Sequence, residues 1–136
     1  MTIRFAAAGL VAALAATAVL GVGGSNPSCA AGPKQPPVSF ADDVLPVFQI
    51  RCASCHAPNG EGYKASGLDL TSYQGVMKGT RFGAMVIAGD PDSSNLMRLI
   101  DWRVNPQLRM PHNKKQLSSC DRDAIRTWIR QGAKDN

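Results

Sequence analysis

Histidine occurs only twice in these 136 residues, and cysteine four times. There is no second C-x-x-C pair and no H-x-x-x-H pair, and a paired-ligand zinc module needs one or the other. Aromatic residues are scarce as well, with two Trp, two Tyr and four Phe, so side chains alone supply little of the bulky apolar surface that dominates most cores. No stretch carries a strong strand pattern, which argues against a sheet. No internal repeat is visible, which removes solenoid architectures. No histidine-rich or acid/base cluster stands out, which weakens any reading as a catalyst. Acidic residues are outnumbered ten to fifteen by Lys and Arg, giving a formal net charge of +5.

Against these absences, Cys52-Ala53-Ser54-Cys55-His56 is conspicuous. A C-x-x-C-H run is the attachment site of a c-type haem. Two thiols separated by two residues add to the two vinyl groups on one edge of a porphyrin, and the next residue then lies under the iron, where imidazole nitrogen is a strong axial ligand. The spacing therefore predicts Cys52 and Cys55 as covalent haem attachments and His56 as the proximal iron ligand. Two other readings compete. A thioredoxin-like dithiol belongs at a strand-to-helix junction in a βαβ pattern, and none surrounds Cys52. A zinc set of Cys52, Cys55, His56 and His112 asks the adjacent Cys55 and His56 to bind one ion together, which adjacent residues rarely do. The low aromatic content agrees with haem, since a porphyrin provides apolar surface of its own.

Haem of this kind is attached after export, so the N-terminus is an independent test. Arg4 forms a short positive region, Phe5 to Leu20 is an uncharged Ala/Leu/Val run, and Gly21-Val22-Gly23-Gly24-Ser25 breaks it before the small residues Ser28-Cys29-Ala30-Ala31. Residues 1–31 thus read as a signal peptide cut after Ala30 or Ala31, with a site near Gly23 as competitor and an uncleaved membrane anchor as the alternative. Asn26-Pro27-Ser28 before Cys29 matches a lipoprotein signal poorly. The expected location is periplasmic or otherwise extracytoplasmic. If cleavage removes Cys29, Cys120 is most simply a buried thiol on a helix face. If Cys29 survives, a disulfide between the two is open to it in an oxidising compartment.

Residues 32–37 read as an extended, unpacked, Pro-rich lead-in, and residues 38–136 as one small domain. Ser39 is the candidate cap of a first helix, with Asp42 completing a capping box. Phe40, Val44, Phe48 and Cys52 form an apolar stripe with Leu45 alongside, interrupted by Pro46, which predicts a kinked or shortened helix unless it falls within the first turn. Ala57 to Gly67 reads as a loop and Gly67-Leu68-Asp69-Leu70 as a short extended piece. Thr71 or Ser72 caps a brief helix stopped by Gly79. Asp92 or Ser93 caps another whose inner face is Leu96, Leu99 and Ile100. Met110-Pro111-His112 falls on an irregular segment. Ser118 caps the last helix, with Asp121 three residues on, an apolar face of Ala124, Ile125, Trp128 and Ile129, and Gly132 at the stop. The expected fold is all-α, with about four helices and long loops around one covalently bound haem.

This order of pieces resembles the class I monohaem cytochromes c and, more narrowly, planctomycete-type cytochrome c domains. The matching pieces are Val44-Leu45-Pro46 before the C-x-x-C-H run, Gly67-Leu68-Asp69-Leu70, Met110-Pro111, Leu117-Ser118 and Trp128-Ile129-Arg130-Gln131-Gly132-Ala133. The resemblance implies a cytochrome c-like fold and one haem c, with its iron held by His56 and, on the distal side, by Met110. His112, Met77, Met85 and Met97 are the rivals for that distal position. His/Met ligation implies a one-electron carrier and not an enzyme. An open or weakly held distal site implies instead a haem protein that binds a small ligand, peroxidase-like or gas-sensing. His56 needs an acceptor for its other ring nitrogen, expected to be a backbone carbonyl in the following loop. Arg81, Trp102 and Arg103 are candidate donors to the haem propionates.

The basic excess is most visible from Arg98 to Lys115, where Arg98, Arg103, Arg109, Lys114 and Lys115 face Asp101 alone. With Met110 on the iron, these cations fit a docking face for acidic redox partners; a solvated loop is the plainer reading. An exported haem protein has no occasion to meet nucleic acid. Membrane contact requires either a retained N-terminal segment or a membrane complex as partner.

Overall fold

The computed structural model describes residues 35–136, so the signal segment, its cleavage and Cys29 lie outside the described residues. Among the described residues there are six α-helices: α1 (Leu45–Arg51), α2 (Ala53–His56), α3 (Glu61–Ser66), α4 (Tyr73–Lys78), α5 (Asn95–Ile100) and α6 (Ser119–Arg130). A π-helical turn, Phe40–Val44, leads into α1, and a 3-10 turn spans Pro106–Leu108. No strand occurs among the described residues, only an isolated bridge between Thr80 and Gly83. The all-α architecture is as expected, with more and shorter helices than four. No helix among the described residues is long and apolar enough to cross a membrane.

The additional helices have local causes. Pro46 sits in the first turn of α1, where its missing N–H is tolerated, and the chain upstream widens into the π turn. Ser39 caps that turn, its hydroxyl accepting from the Asp42 amide. The reciprocal bond comes from Asp43, not Asp42: the Ser39 amide donates to Asp43 Oδ2 at 2.8 Å. The wider turn displaces the box by one residue. Within the stretch expected to be loop, α3 forms between Gly60 and Gly67. Gly67 ends it in the left-handed region at φ 79°, and Lys64 pairs with Glu61 at 2.9 Å across one turn.

The stripe expected on the first helix is buried: Phe40, Val44 and Phe48 all lie in the core. Trp128 of α6 crosses it, with its ring centroid 5.2 Å from that of Phe40, and Tyr73 meets Phe40 edge-on at 5.3 Å. Leu96, Met97 and Ile100 bury α5, while Leu99 is half-buried. The cap of α5 is Ser94, not Asp92 or Ser93, and its hydroxyl is spent on the 87–90 turn, accepting from the Ile87 amide at 2.9 Å and donating to the Asp90 carbonyl at 2.7 Å. Helix α6 is capped by Ser118 and stops before Gly132 (φ 102°), as the sequence indicates.

Gln35 to Pro37 is not unpacked. Gln35 Oε1 accepts from the Thr127 hydroxyl at 3.0 Å, and the Pro36 carbonyl from Gln131 Nε2 at 3.0 Å. At the other end, Asn136 ties back to the first helix, its Oδ1 accepting from the Phe40 amide at 3.0 Å. Cys120 is exposed and disulfide-bonded, so the buried-thiol reading does not hold.

Asp101 joins α5 to α6. Its buried carboxylate (6% exposed) receives Arg122 Nη1 at 3.2 Å and Arg126 Nη2, with Arg103 at 3.5 Å. Removing one partner from such a cluster leaves charges without compensation. Asp101→Asn is expected to destabilise the domain by about 3 kcal/mol, measured by urea unfolding.

Candidate functional site

The C-x-x-C-H run folds into a single helical turn. The Cys52 amide donates to the Phe48 carbonyl at 2.8 Å, closing α1, and the Cys52 carbonyl accepts from His56 at 2.9 Å, opening α2. Both cysteines and His56 are thereby aimed from one short segment into a cavity of about 670 Å³. Its walls are mainly apolar, with Phe48, Leu68, Leu70, Leu96, Ile100 and Leu117 among them. Met110 and His112 line the same cavity. The sequence-predicted residues thus converge, although they come from two segments more than fifty residues apart in the chain.

His56 is oriented by the backbone. Its Nδ1 lies 3.3 Å from the Leu68 carbonyl, so that nitrogen carries the proton and Nε2 keeps a free lone pair. The acceptor sits one residue past the loop in which it was expected. A second bond, from the Leu70 amide to the His56 carbonyl at 2.9 Å, fixes the extended Gly67–Leu70 piece alongside. Burial lowers the His56 pKa and the Leu68 bond partly restores it, so the ring is held as neutral imidazole, the form that binds metal. Gly62 was not singled out from the sequence. A Cβ there would stand 2.8 Å from both Cε1 and Nε2 of the ring, so the absence of a side chain keeps the metal-facing edge open.

Cys52 and Cys55 are free thiols, Cys52 half-buried and Cys55 exposed. Burial pushes the Cys52 thiol up to about 11, against the nearby charges of Arg51 and Lys114, which lower it. Among the described residues no group of His, Cys, Asp and Glu is placed to hold a metal ion, which disposes of the zinc set of Cys52, Cys55, His56 and His112.

The donor set and the cavity fit a haem: two thiols, a lone pair on Nε2, a soft sulfur on Met110 and apolar walls. Of the rival methionines, Met77 and Met97 do not line the cavity, whereas Met85 does and is 8% exposed. None of the candidate propionate donors Arg81, Trp102 and Arg103 lines the cavity. Arg81 donates to the Lys64 carbonyl at 2.8 Å, Trp102 to the Met110 carbonyl at 2.9 Å, and Arg103 is paired with Asp92 and Asp101. The cations that do line the cavity are Arg51, Arg98 and Lys114. Arg51, beside Cys52 in sequence, was legible from adjacency alone. Phe82 and Leu108, 81% and 56% exposed, also line the cavity and carry apolar surface to solvent.

Residues 52–113 match the family described as Planctomycete cytochrome C, which bears out the resemblance read from the sequence over that stretch. The hydrazine synthase subunit alpha of Kuenenia stuttgartiensis is 28% identical over 127 aligned residues, covering 74% of this chain but only 16% of that relative. No solved structure matches. Cytochrome c domains carry covalent haem c with its iron and serve electron transfer, and those of the planctomycete type are typically extracytoplasmic.

Gly62→Ala is expected to force the His56 ring off its Leu68 acceptor, costing about 1–3 kcal/mol. Urea unfolding of the haem-loaded protein checks the cost, and its reduced visible spectrum checks the haem environment.

Proposed function

We propose, from the premise of a domain similar to planctomycete cytochrome c, that this chain is a one-electron transfer protein holding one haem c, with His56 and Met110 as axial ligands. The observation that carries the reading is the convergence of both thiols, the imidazole and Met110 on one apolar cavity. The haem supplies an iron that changes oxidation state by one electron. Cys52 and Cys55 would hold the haem covalently through two thioethers. His56 offers Nε2 because the Leu68 carbonyl holds the proton on Nδ1. Met110 offers a soft sulfur, which favours ferrous iron and raises the reduction potential relative to a second imidazole. The apolar walls would exclude water, and with His56 and Met110 both holding the iron no place would remain for substrate.

Partners in this reading are redox proteins. Arg51, Arg98 and Lys114 line the cavity while the single carboxylate on it, Glu61, is paired with Lys64. An acidic partner is therefore steered toward the haem and the basic segment around Met110. The location is periplasmic or otherwise extracytoplasmic after export by residues 1–31. The hydrazine synthase subunit, of which the match covers only 16%, supports a second setting for the same chemistry, a domain working within a larger enzyme.

Spectroscopy of the exported protein tests the reading. Sharp c-type bands are expected on reduction, and the weak red charge-transfer band of Met-ligated ferric haem on oxidation. Met110→Ala is expected to abolish the red band and admit carbon monoxide, while His112→Ala leaves both as they were. Rapid carbon monoxide binding by the unmutated reduced protein establishes the small-ligand alternative instead. Electron transfer to an acidic partner should slow by roughly tenfold or more as salt rises past the screening range, and Lys114→Glu should flatten that dependence in stopped-flow measurements.

A further inference from the structure

We infer that Trp102 is a positioning residue for Met110, holding the backbone from which the sulfur reaches the iron; the inference rests on the reading of Met110 as distal ligand. Trp102 adopts φ 62°, a left-handed conformation that is costly for a bulky side chain and persists only where the surroundings impose it. Core packing does not impose it, because Trp102 is half-exposed and stands outside the buried cluster. The imposing contacts are polar. Asp101, the preceding residue, is fixed by Arg122 and Arg126 of α6. The Trp102 amide donates to the Leu99 carbonyl at 3.3 Å and the Arg103 amide to the Arg98 carbonyl at 2.9 Å. The turn so formed directs the indole to Met110.

Trp102 Nε1 donates to the Met110 carbonyl at 2.9 Å, and the Met110 amide donates to the Leu99 carbonyl at 3.2 Å. Both peptide groups flanking the Met110 Cα are thereby held, which leaves only side-chain rotations to place the sulfur. The Arg109 guanidinium lies 5.2 Å from the Trp102 ring centroid, and its buried Nε has no hydrogen-bond partner. Arg109 is thus committed to the face of the ring and fixes the indole from the other side. Trp102 does not line the cavity, so its N–H serves Met110 and not the cofactor.

The test uses the haem-loaded protein and reads the red charge-transfer band and the rate of carbon monoxide association, with urea unfolding alongside. Trp102→Phe removes the donor and keeps a ring. It is expected to raise the fraction of molecules with Met110 off the iron about five- to tenfold, the value of one hydrogen bond, and to speed carbon monoxide association by the same factor. Arg109→Ala is expected to move both readouts in the same direction by less. Met110→Ala supplies the spectrum without the thioether. If Met110→Ala keeps the red band, the ligand reading fails and takes this inference with it. If Met110→Ala loses the band while Trp102→Phe lowers only the unfolding midpoint, the inference alone is overturned. Should Trp102→Phe yield no haem protein, Arg109→Ala decides by the same readouts, an unchanged band and rate overturning the inference.

Discussion

A cavity of about 670 Å³ inside a domain of roughly a hundred residues is the constraint on which the rest of this structure depends. A small chain has little apolar surface to spare, and here Phe48, Leu68, Leu70, Leu96, Ile100 and Leu117 turn part of theirs toward the cavity. The side-chain core is therefore compact: Phe40, Val44 and Phe48 against Trp128, Ile125 and Ile129. Helices of four to seven residues surround it, α6 excepted. Such short helices are not stable by propensity. They persist because caps and long-range bonds hold their ends, as Asn136 does at the first turn and Asp101 between α5 and α6.

Much of this was legible in the sequence, and the reasons are local. C-x-x-C-H is contiguous, so its chemistry is readable without a fold. The Ser118 cap, the Ile125/Trp128/Ile129 face and Gly132 are all spaced by one helix, and the structure reproduces them. The stripe of Phe40, Val44 and Phe48 survives Pro46 because a π turn keeps those residues on one face. What escaped depends on contacts the sequence does not encode by spacing. Arg103 is a candidate propionate donor by loop position, yet it pairs with Asp92 and Asp101. Arg81 looked like a propionate donor, yet the left-handed Gly67 ends α3 where Arg81 can reach the Lys64 carbonyl. Gly62 looked like one loop glycine among several, and only the nearby imidazole gives it a role.

Charge is sorted in the same way. Asp101 and Asp92 are engaged with arginines, Glu61 with Lys64, and the Asp90 carboxyl accepts from Ser93, which holds its pKa below the usual range. Arg51, Arg98 and Lys114 are left on the cavity. The modest net charge becomes a directional field at the cavity, because Arg51, Arg98 and Lys114 line it against one carboxylate, Glu61, which is paired with Lys64. Phe82 and Leu108 add exposed apolar surface at the same cavity. For the proposed electron carrier, apolar contact with cations beside it would suit brief, salt-sensitive docking.

The two candidate iron ligands are held by different means. His56 is fixed within its own neighbourhood: the turn from Cys52 carries it, Leu68 holds its ring and Leu70 its carbonyl. Met110 lies on a segment with no helix of its own, and its backbone is held by Leu99 and Trp102. Those two belong to the end of α5, which Asp101 locks to α6, which Trp128 locks to Phe40 on the first turn. The proximal side is therefore set by about twenty contiguous residues, and the distal side by the closure of the whole domain. This explains why the proximal site could be read from five letters of sequence. Met110 stands out in the sequence only through the family resemblance, and its place on the cavity depends on the crossing of the two terminal helices.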